Sequence, residues 1–202
     1  YKNFKIFVVD NSEDESSIDQ IKNKIKNECL FIKTKNNGFA AANNVVLSED
    51  NKDIDFYWIL NNDTSIPDTF LFNLNEKLLS KKNKIYSQIY SNTLLYYKTN
   101  TIQAIGGKIN KLTGLPKHCN NNEEFNFSNN YPKDYDYPIG ASIIIHKEVL
   151  EKIGLMNEDY FLYYEELDWM EKAKKQNITL EIFSDLYIYH KEGNSIGNKK
   201  DK

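Results

Sequence analysis

Along the first half of the chain, short unbroken apolar runs alternate with stretches whose apolar residues recur at helical spacing. Phe4–Val9 (FKIFVV) is a short apolar, β-branched run broken at Asn11–Ser12, the pattern of a buried strand. A polar helix is predicted from about Glu15 to Asn27, with Ile18, Ile21 and Ile25 on one face. Leu30–Lys33 reads as a strand, Asn36–Gly38 as a turn, and the alanine-rich stretch Phe39–Leu47 as a second helix. Phe56–Leu60 (FYWIL) is a buried strand ending at Asn61-Asn62-Asp63-Thr64. A helix is then predicted to start at Pro67, with Phe70, Leu71, Leu74 and Leu78 on one face.

This β-α-β-α-β order implies an α/β domain with a mostly parallel sheet and right-handed crossovers. Ligands in such sheets bind outside the carboxyl ends of the strands, which would put Asp10 and Asp63 in one cleft. The second half is less regular. Ile85–Lys98 reads as one or two strands, Gly106-Gly107 as a turn, and residues 110–138 as a long, partly irregular insertion. Ser142–His146 (SIIIH) is a strand, and Lys147–Ile153 a short helix closed by Gly154. The acidic segment reads as the start of a helix whose remainder, Trp169–Gln176, is amphipathic, and strands are predicted at Ile178–Phe183 and Tyr187–His190. Residues 4–197 are expected to form one domain, with a disordered tail at 198–202.

A chain of 202 residues, 40% hydrophobic and 27% charged, has the balance of one globular domain with a sizeable core. No apolar run approaches the length of a membrane span, and the start of the chain carries no signal-peptide pattern. The formal net charge of −3 argues against a nucleic-acid partner. Cys29 and Cys119 form no metal-type cluster and read as reduced thiols of a cytoplasmic protein. All 26 basic residues are lysine, so a phosphate would be held by lysine, backbone N–H groups or metal, never by a bidentate guanidinium.

Five places carry candidate chemistry. In YYEELDW, Glu165, Glu166 and Asp168 follow an aromatic run that is expected to be buried, and a partly desolvated carboxylate is suited to act as a general base. The same acids also suit a helix N-terminus, where they oppose the macrodipole. Asp63, flanked by Asn61 and Asn62 at a strand end, can coordinate a hard divalent cation, although the same composition suits a turn. Asp10 suits either acceptance of N–H groups from a nucleotide base or a helix N-cap. His190 ends a strand as a metal ligand or a packed histidine, and Asn43 or Asn44 on the alanine-rich helix could reach a ligand.

The ordered segments VVDNSEDES, NNGFAAANN, YWILNNDT, GGKINKLTG, PIGASIIIHKEV, GLMNEDYFLYYEELDW and YIYHKEGNSIG resemble the family 2 glycosyltransferases, most of all their bacterial rhamnosyltransferase-like branch. The resemblance runs from about Phe4 to Gly197. It implies a nucleotide-diphospho-sugar transferase fold of the GT-A type: a mixed, mostly parallel central sheet flanked by helices, with the family's first strand absent ahead of Tyr1. It implies an inverting transfer from a nucleotide-diphospho-sugar to a saccharide or lipid-linked saccharide acceptor in cell-surface polysaccharide synthesis. Carried over by position, Glu166 is the base. Asp10, Asn44, Asn61, Asn62 and Asp63 meet the nucleotide. Asp63, His190 and Asn61 hold Mg²⁺ or Mn²⁺. Gly140, Ala141, Ser142, Glu165, Asp168 and Trp169 border the acceptor. Lys172 stands where many relatives carry arginine, and Asn157 where aspartate is frequent. Such an enzyme would work in the cytoplasm, with peripheral association at the inner face of the membrane. A non-catalytic sugar-nucleotide or glycan-binding domain of the same fold is the alternative; a metal-dependent phosphohydrolase would call for more clustered carboxylates.

Overall fold

The computed structural model describes residues 2–14, 16–24, 29–49 and 52–191. Strands β1 (Phe7–Asp10) and β2 (Leu30–Lys33) pair in parallel, with Asp10 opposite Lys33. Between them lies α1 (Ser17–Lys22), shorter than the sequence pattern suggests. Ile25 and the end of that predicted helix lie outside the described residues, as do Gly193, Ser195 and the expected tail. Next come α2 (Phe39–Leu47) and β3 (Phe56–Leu60), where the apolar pattern puts them. After β4 (Thr64–Ser65), α3 (Phe70–Ser80) starts one turn beyond Pro67, whose carbonyl accepts the Phe70 N–H at 2.9 Å. Its buried stripe is Phe70, Leu74 and Leu78, and the Phe70 ring stacks on Trp58 at 5.0 Å, seating the helix on β3.

The remaining elements are β5 (Gln88–Tyr96), β6 (Ile102–Ala104), β7 (Gly107–Ile109), β8 (Pro116–His118), β9 (Ser142–His146), α4 (Lys147–Ile153), α5 (Glu165–Lys175) and β10 (Thr179–His190). The central sheet has the order β3-β9-β5-β10-β4, with β6 on β5. It is mixed, as expected, but not mostly parallel: within it only β5 and β10 pair in parallel. Strands β3, β5 and β10 do run in one direction, as alternating strands and helices require. The antiparallel β9 enters between the first two, and β4 and β6 are also antiparallel to their neighbours. β1 and β2 form a separate two-stranded sheet, with α2 against β1.

Burial on both faces explains the unbroken apolar run of β9. Ile143 and Ile145 pack with Ile89, Leu167, Trp169 and Met170 on the α5 side, whereas Ile144 packs with Phe70, Leu74 and Tyr90 on the α3 side. At its end, the His146 Nδ1 accepts the Glu148 N–H at 3.2 Å and caps α4, so this histidine is structural. Two sequence expectations need correction. The predicted strands at 178–183 and 187–190 are one strand, interrupted by an irregularity between Phe183 and Tyr187. Gly106-Gly107 is not a turn: Gly107 opens β7, and a Cβ there would lie 1.9 Å from the Tyr137 ring. Glycine is required by close approach, not by turn conformation.

Candidate active site

The pairing of β4 with β10 sets His190 opposite Thr64, and the Lys191 N–H donates to the Asp63 carbonyl at 3.1 Å. That register brings the Asp63 Oδ1 to 3.1 Å from the His190 Nε2, both side chains about nine-tenths buried. The contact is within ion-pair distance, yet Oδ1 has no hydrogen-bond partner, because the imidazole is not aligned to donate to it. The other ring nitrogen, Nδ1, sits 2.8 Å from the Oε1 of Gln103, which is 3% exposed. With Oε1 accepting, the proton resides on Nδ1, and the Nε2 lone pair is left beside a carboxylate. Two lone-pair bearers held together in a poorly hydrated place repel unless a cation joins them.

Two ligands of one octahedral cation, each about 2.1 Å from it and at a right angle, stand about 3 Å apart. The orphaned Oδ1 and its spacing from Nε2 therefore fit a divalent ion. Among the described residues no group of three or more His, Cys, Asp or Glu converges on one point. Such a pair suits Mg²⁺ or Mn²⁺, which keep waters and take ligand phosphates as further partners. No described hydrogen bond joins the Asn61 or Asn62 side chain to the pair. Asn61 instead shapes the turn, its carbonyl accepting the Thr64 Oγ1 at 2.7 Å and its N–H donating to Ala141 at 3.1 Å.

That last bond sets the Gly140–Ala141 turn beside the carboxyl end of β3. Around Gly140 there is space: a Cβ would meet only Phe39, at 3.9 Å. Ser142 differs from the expectation that it borders an acceptor. It is fully buried, its hydroxyl accepting from Trp58 Nε1 at 2.8 Å and donating to Asn92 at 2.6 Å, so it ties three strands together.

Helix α5 starts at Glu165, so all three acids lie in its first turn, as the helix-start reading of this segment has them. Glu165 is 3% exposed, and one oxygen each of Glu165, Glu166 and Asp168 is buried without a hydrogen-bond partner. Burial pushes the Glu166 carboxyl up to about 7; the Glu165 charge adds to the rise and its own backbone N–H opposes it. Burial also raises Glu165. Tyr137, 2% exposed, is pushed up to about 12 by burial, to which the Glu166 charge adds. Asp168 is different: its unbonded oxygen lies 3.2 Å from the Lys172 ammonium in a partly exposed i,i+4 ion pair. Trp169 is 1% exposed and donates to the Gly154 carbonyl at 2.8 Å, so it packs α5 and is not open to an acceptor.

The aromatic run before α5 is not buried, contrary to expectation: Phe161 is 58% exposed and Tyr163 55%. Tyr163 and Tyr164 both have positive φ, +71° and +75°. This left-handed pair costs on the order of 1–3 kcal/mol per residue. With that run exposed, the desolvation of Glu166 comes from other parts of the domain.

Gly38, just ahead of α2, and Asn44 within it anchor this loop. Gly38, at φ +98°, lets the chain pass so close that a Cβ would lie 2.2 Å from the Phe161 carbonyl, which accepts the Phe39 N–H at 2.9 Å. Asn44 is 3% exposed and makes three bonds: its Nδ2 donates to the Met156 carbonyl and to Glu158, both at 2.9 Å, and its Oδ1 accepts the Met156 N–H at 3.2 Å. Its amide is thereby committed to the loop, which removes it from the expected nucleotide contacts.

Asp10 is likewise engaged within its own sheet. Burial alone would raise its pKa, but the Ser17 hydroxyl, the Lys33 ammonium at 2.9 Å and the Ser12 N–H hold it well below the usual carboxylate range. No described hydrogen bond or ion pair joins it to Asp63. Three residues of the site escaped sequence reading: Gln103, Tyr137 and Glu158. Only Gln103 carries a local signal, a lone polar residue inside the apolar run Ile102–Ile105.

No protein-family model matches the chain. A curated relative, the low-salt glycan biosynthesis hexosyltransferase Agl10 of Haloferax volcanii, is 38% identical over 48 residues, 24% of this chain and 16% of its own length. The crystal structure of GalNAc-T7 with UDP, GalNAc and Mn²⁺ superposes with a TM-score of 0.68 at 12% identity, over 92% of this chain and 37% of that one. Staphylococcus aureus TarS 1–349 in complex with UDP gives 0.56 at 16% identity, over 92% of this chain and 50% of that one. The chain thus spans a small part of the curated relative and half or less of these two structures. The fold is that of the GT-A glycosyltransferases.

Proposed function

We propose that the chain is the catalytic domain of a divalent-metal-dependent, inverting glycosyltransferase of family 2, in its rhamnosyltransferase-like branch. Its donor is a nucleotide-diphospho-sugar, and its acceptor a saccharide or lipid-linked saccharide of a cell-surface polysaccharide. The observation that carries this reading is the buried Asp63–His190 pair with its orphaned oxygen. GalNAc-T7, crystallised with UDP and Mn²⁺, and TarS, crystallised with UDP, support a nucleotide-sugar donor, and the hexosyltransferase relative supports sugar transfer. Mg²⁺ or Mn²⁺ held by Asp63 and His190 would neutralise charge on the departing diphosphate. Glu166, with its carboxyl near neutrality, is suited to take the acceptor hydroxyl proton as that oxygen attacks. Attack on the face opposite the leaving group inverts the anomeric centre, and no covalent enzyme intermediate is required. The exposed rings of Phe161, Tyr163 and Tyr164 offer sugar-stacking surfaces at the mouth of the site. Cytoplasmic location, with peripheral contact at the inner membrane face, belongs to the same reading.

One observation favours the alternative of a non-catalytic glycan- or nucleotide-binding domain: the Asp10 oxygens are engaged by Lys33, Ser17 and Ser12. The unpartnered, desolvated Glu166 opposes it, because a binding module gains nothing from a buried base. The deciding experiment is a screen of nucleotide sugars with and without Mn²⁺, followed by hydrolysis and transfer assays on those that bind. Mn²⁺-dependent binding with turnover is expected; binding without turnover of any donor on any acceptor overturns the catalytic reading.

A further inference from the structure

We propose that Gln103 is the positioning residue of the cation site: it fixes the tautomer and ring orientation of His190 and so presents the Nε2 lone pair beside Asp63. This rests on the metal-site reading above. Three observations carry it. Gln103 is 3% exposed and its Oε1 lies 2.8 Å from the His190 Nδ1, so the bond is sheltered from competing water. Its backbone is held on both sides. β6 pairs with β5, the Asn122 N–H donates to the Ile102 carbonyl at 2.8 Å, and the Asn121 amide donates to the Gln103 carbonyl at 2.8 Å. The His190 ring is itself packed at the end of β10, 9% exposed, on the strand whose pairing with β4 positions Asp63.

An imidazole carries one proton in its neutral form, and only the bare nitrogen can ligate. A carbonyl oxygen on Nδ1 selects the tautomer with Nε2 bare, and metal-binding histidines depend on such partners. The alternative tautomer would put an N–H on Nε2, where it would close the site to a cation. Gln103 does this without charge. It leaves the site less anionic than a carboxylate partner would, and the net charge of an Asp63–cation–diphosphate assembly unaltered.

The test uses the whole chain and Mn²⁺ alone as probe, followed by electron paramagnetic resonance, with long-range proton–nitrogen correlation spectra of the three histidines in metal-free protein. In the wild type, His190 is expected as the Nδ1–H tautomer and Mn²⁺ binds. Gln103→Leu keeps the volume, loses the acceptor and is expected to lower Mn²⁺ affinity by about 10- to 100-fold. Gln103→Glu keeps the acceptor and is expected to restore binding to within about threefold, or to tighten it. Thermal unfolding and the His146 signals report whether each variant is folded; should the leucine variant not fold, the wild-type tautomer and the glutamate variant decide. An Nε2–H tautomer in the wild type, or equal Mn²⁺ binding by the leucine variant, overturns the role of Gln103 while leaving a metal site in place. Absence of Mn²⁺ binding in the wild type removes the metal-site reading itself.

Discussion

Asp63 and His190 come from segments 127 positions apart, and the two-residue strand β4, laid antiparallel on β10, holds them 3.1 Å from each other. The backbone thus sets the pair before any ligand arrives. Asp63→Ala is expected to weaken Mn²⁺-dependent UDP binding by at least about tenfold, while leaving the weak metal-free binding as it was. Titration calorimetry with and without Mn²⁺ measures both. Wild-type UDP binding that ignores Mn²⁺ would count against the pair as a cation site.

Glu166→Gln keeps the shape of the side chain and removes the proton acceptor. Transfer should fall by about 10²- to 10⁴-fold with donor affinity nearly unchanged. In the wild type, kcat/KM should rise with pH and level off above a pKa near 7, because the base acts only when ionised. Transfer by the glutamine variant at the wild-type rate, or a flat profile from pH 5.5 to 8, would reassign the base.

The same carboxylate has a consequence for stability. Its folded pKa, about 7, lies above its ordinary value of 4.5, so between these values the folded state binds more protons than the unfolded one. Its contribution is therefore favourable at low pH and is lost as pH rises through about 7, where an ionised carboxylate is buried. Glu166→Gln should be more stable than wild type at pH 8, by about 1–3 kcal/mol after discounting for the solvent that reaches the group, and equal to it near pH 4. Urea denaturation at the two pH values tests this. A destabilised glutamine variant at pH 8 would show that Glu166 has a stabilising partner when ionised.

Asn44 predicts a purely structural loss. Asn44→Leu leaves the Met156 N–H and carbonyl and the Glu158 carboxylate short of partners in a buried place, at a cost of about 2–4 kcal/mol. Asn44→Asp should fare no better at neutral pH, because it faces both the Met156 carbonyl and the Glu158 carboxylate. Denaturation midpoints decide, and full stability in the aspartate variant would refute the latch.

Local pattern carried much of the fold. LFIK, FAAANNVVL, FYWIL and SIIIH are elements whose period and flanking breakers mark them in the sequence, and the structure keeps their bounds. Pairing was not legible, because strand direction follows from alternation but the insertion of β9 between β3 and β5 depends on contacts distant in sequence. Reading the site from sequence nominates candidates where chemistry and local turn coincide, as at Asp63, whose sheet partner His190 could be named but not paired. It failed where a residue type has two uses. Asn44 and Ser142 look like ligand contacts and are internal braces, and the aromatic run 161–164 looks like core yet lies outside. Gln103 was missed because a lone buried amide acquires meaning only from the imidazole that folding brings to it.

Gly38 offers the sharpest test of how α2 and the acidic segment are coupled. Its φ of +98° is open to glycine and strained for other residues, and its missing side chain lets the Phe161 carbonyl reach the Phe39 N–H. Gly38→Ala puts a methyl group 2.2 Å from that carbonyl, too close to the backbone for a side-chain adjustment to relieve. The strain of the backbone and the lost hydrogen bond together should destabilise by about 2–4 kcal/mol. The loop would move away from α2, carrying Tyr163 and Tyr164 with it. Hydrogen exchange should therefore speed up over residues 157–164, while the β4–β10 pairing keeps Mn²⁺ binding within about threefold of wild type. The coupling is refuted by unchanged exchange in that loop. Loss of Mn²⁺ binding at full stability would instead tie the loop to the cation site.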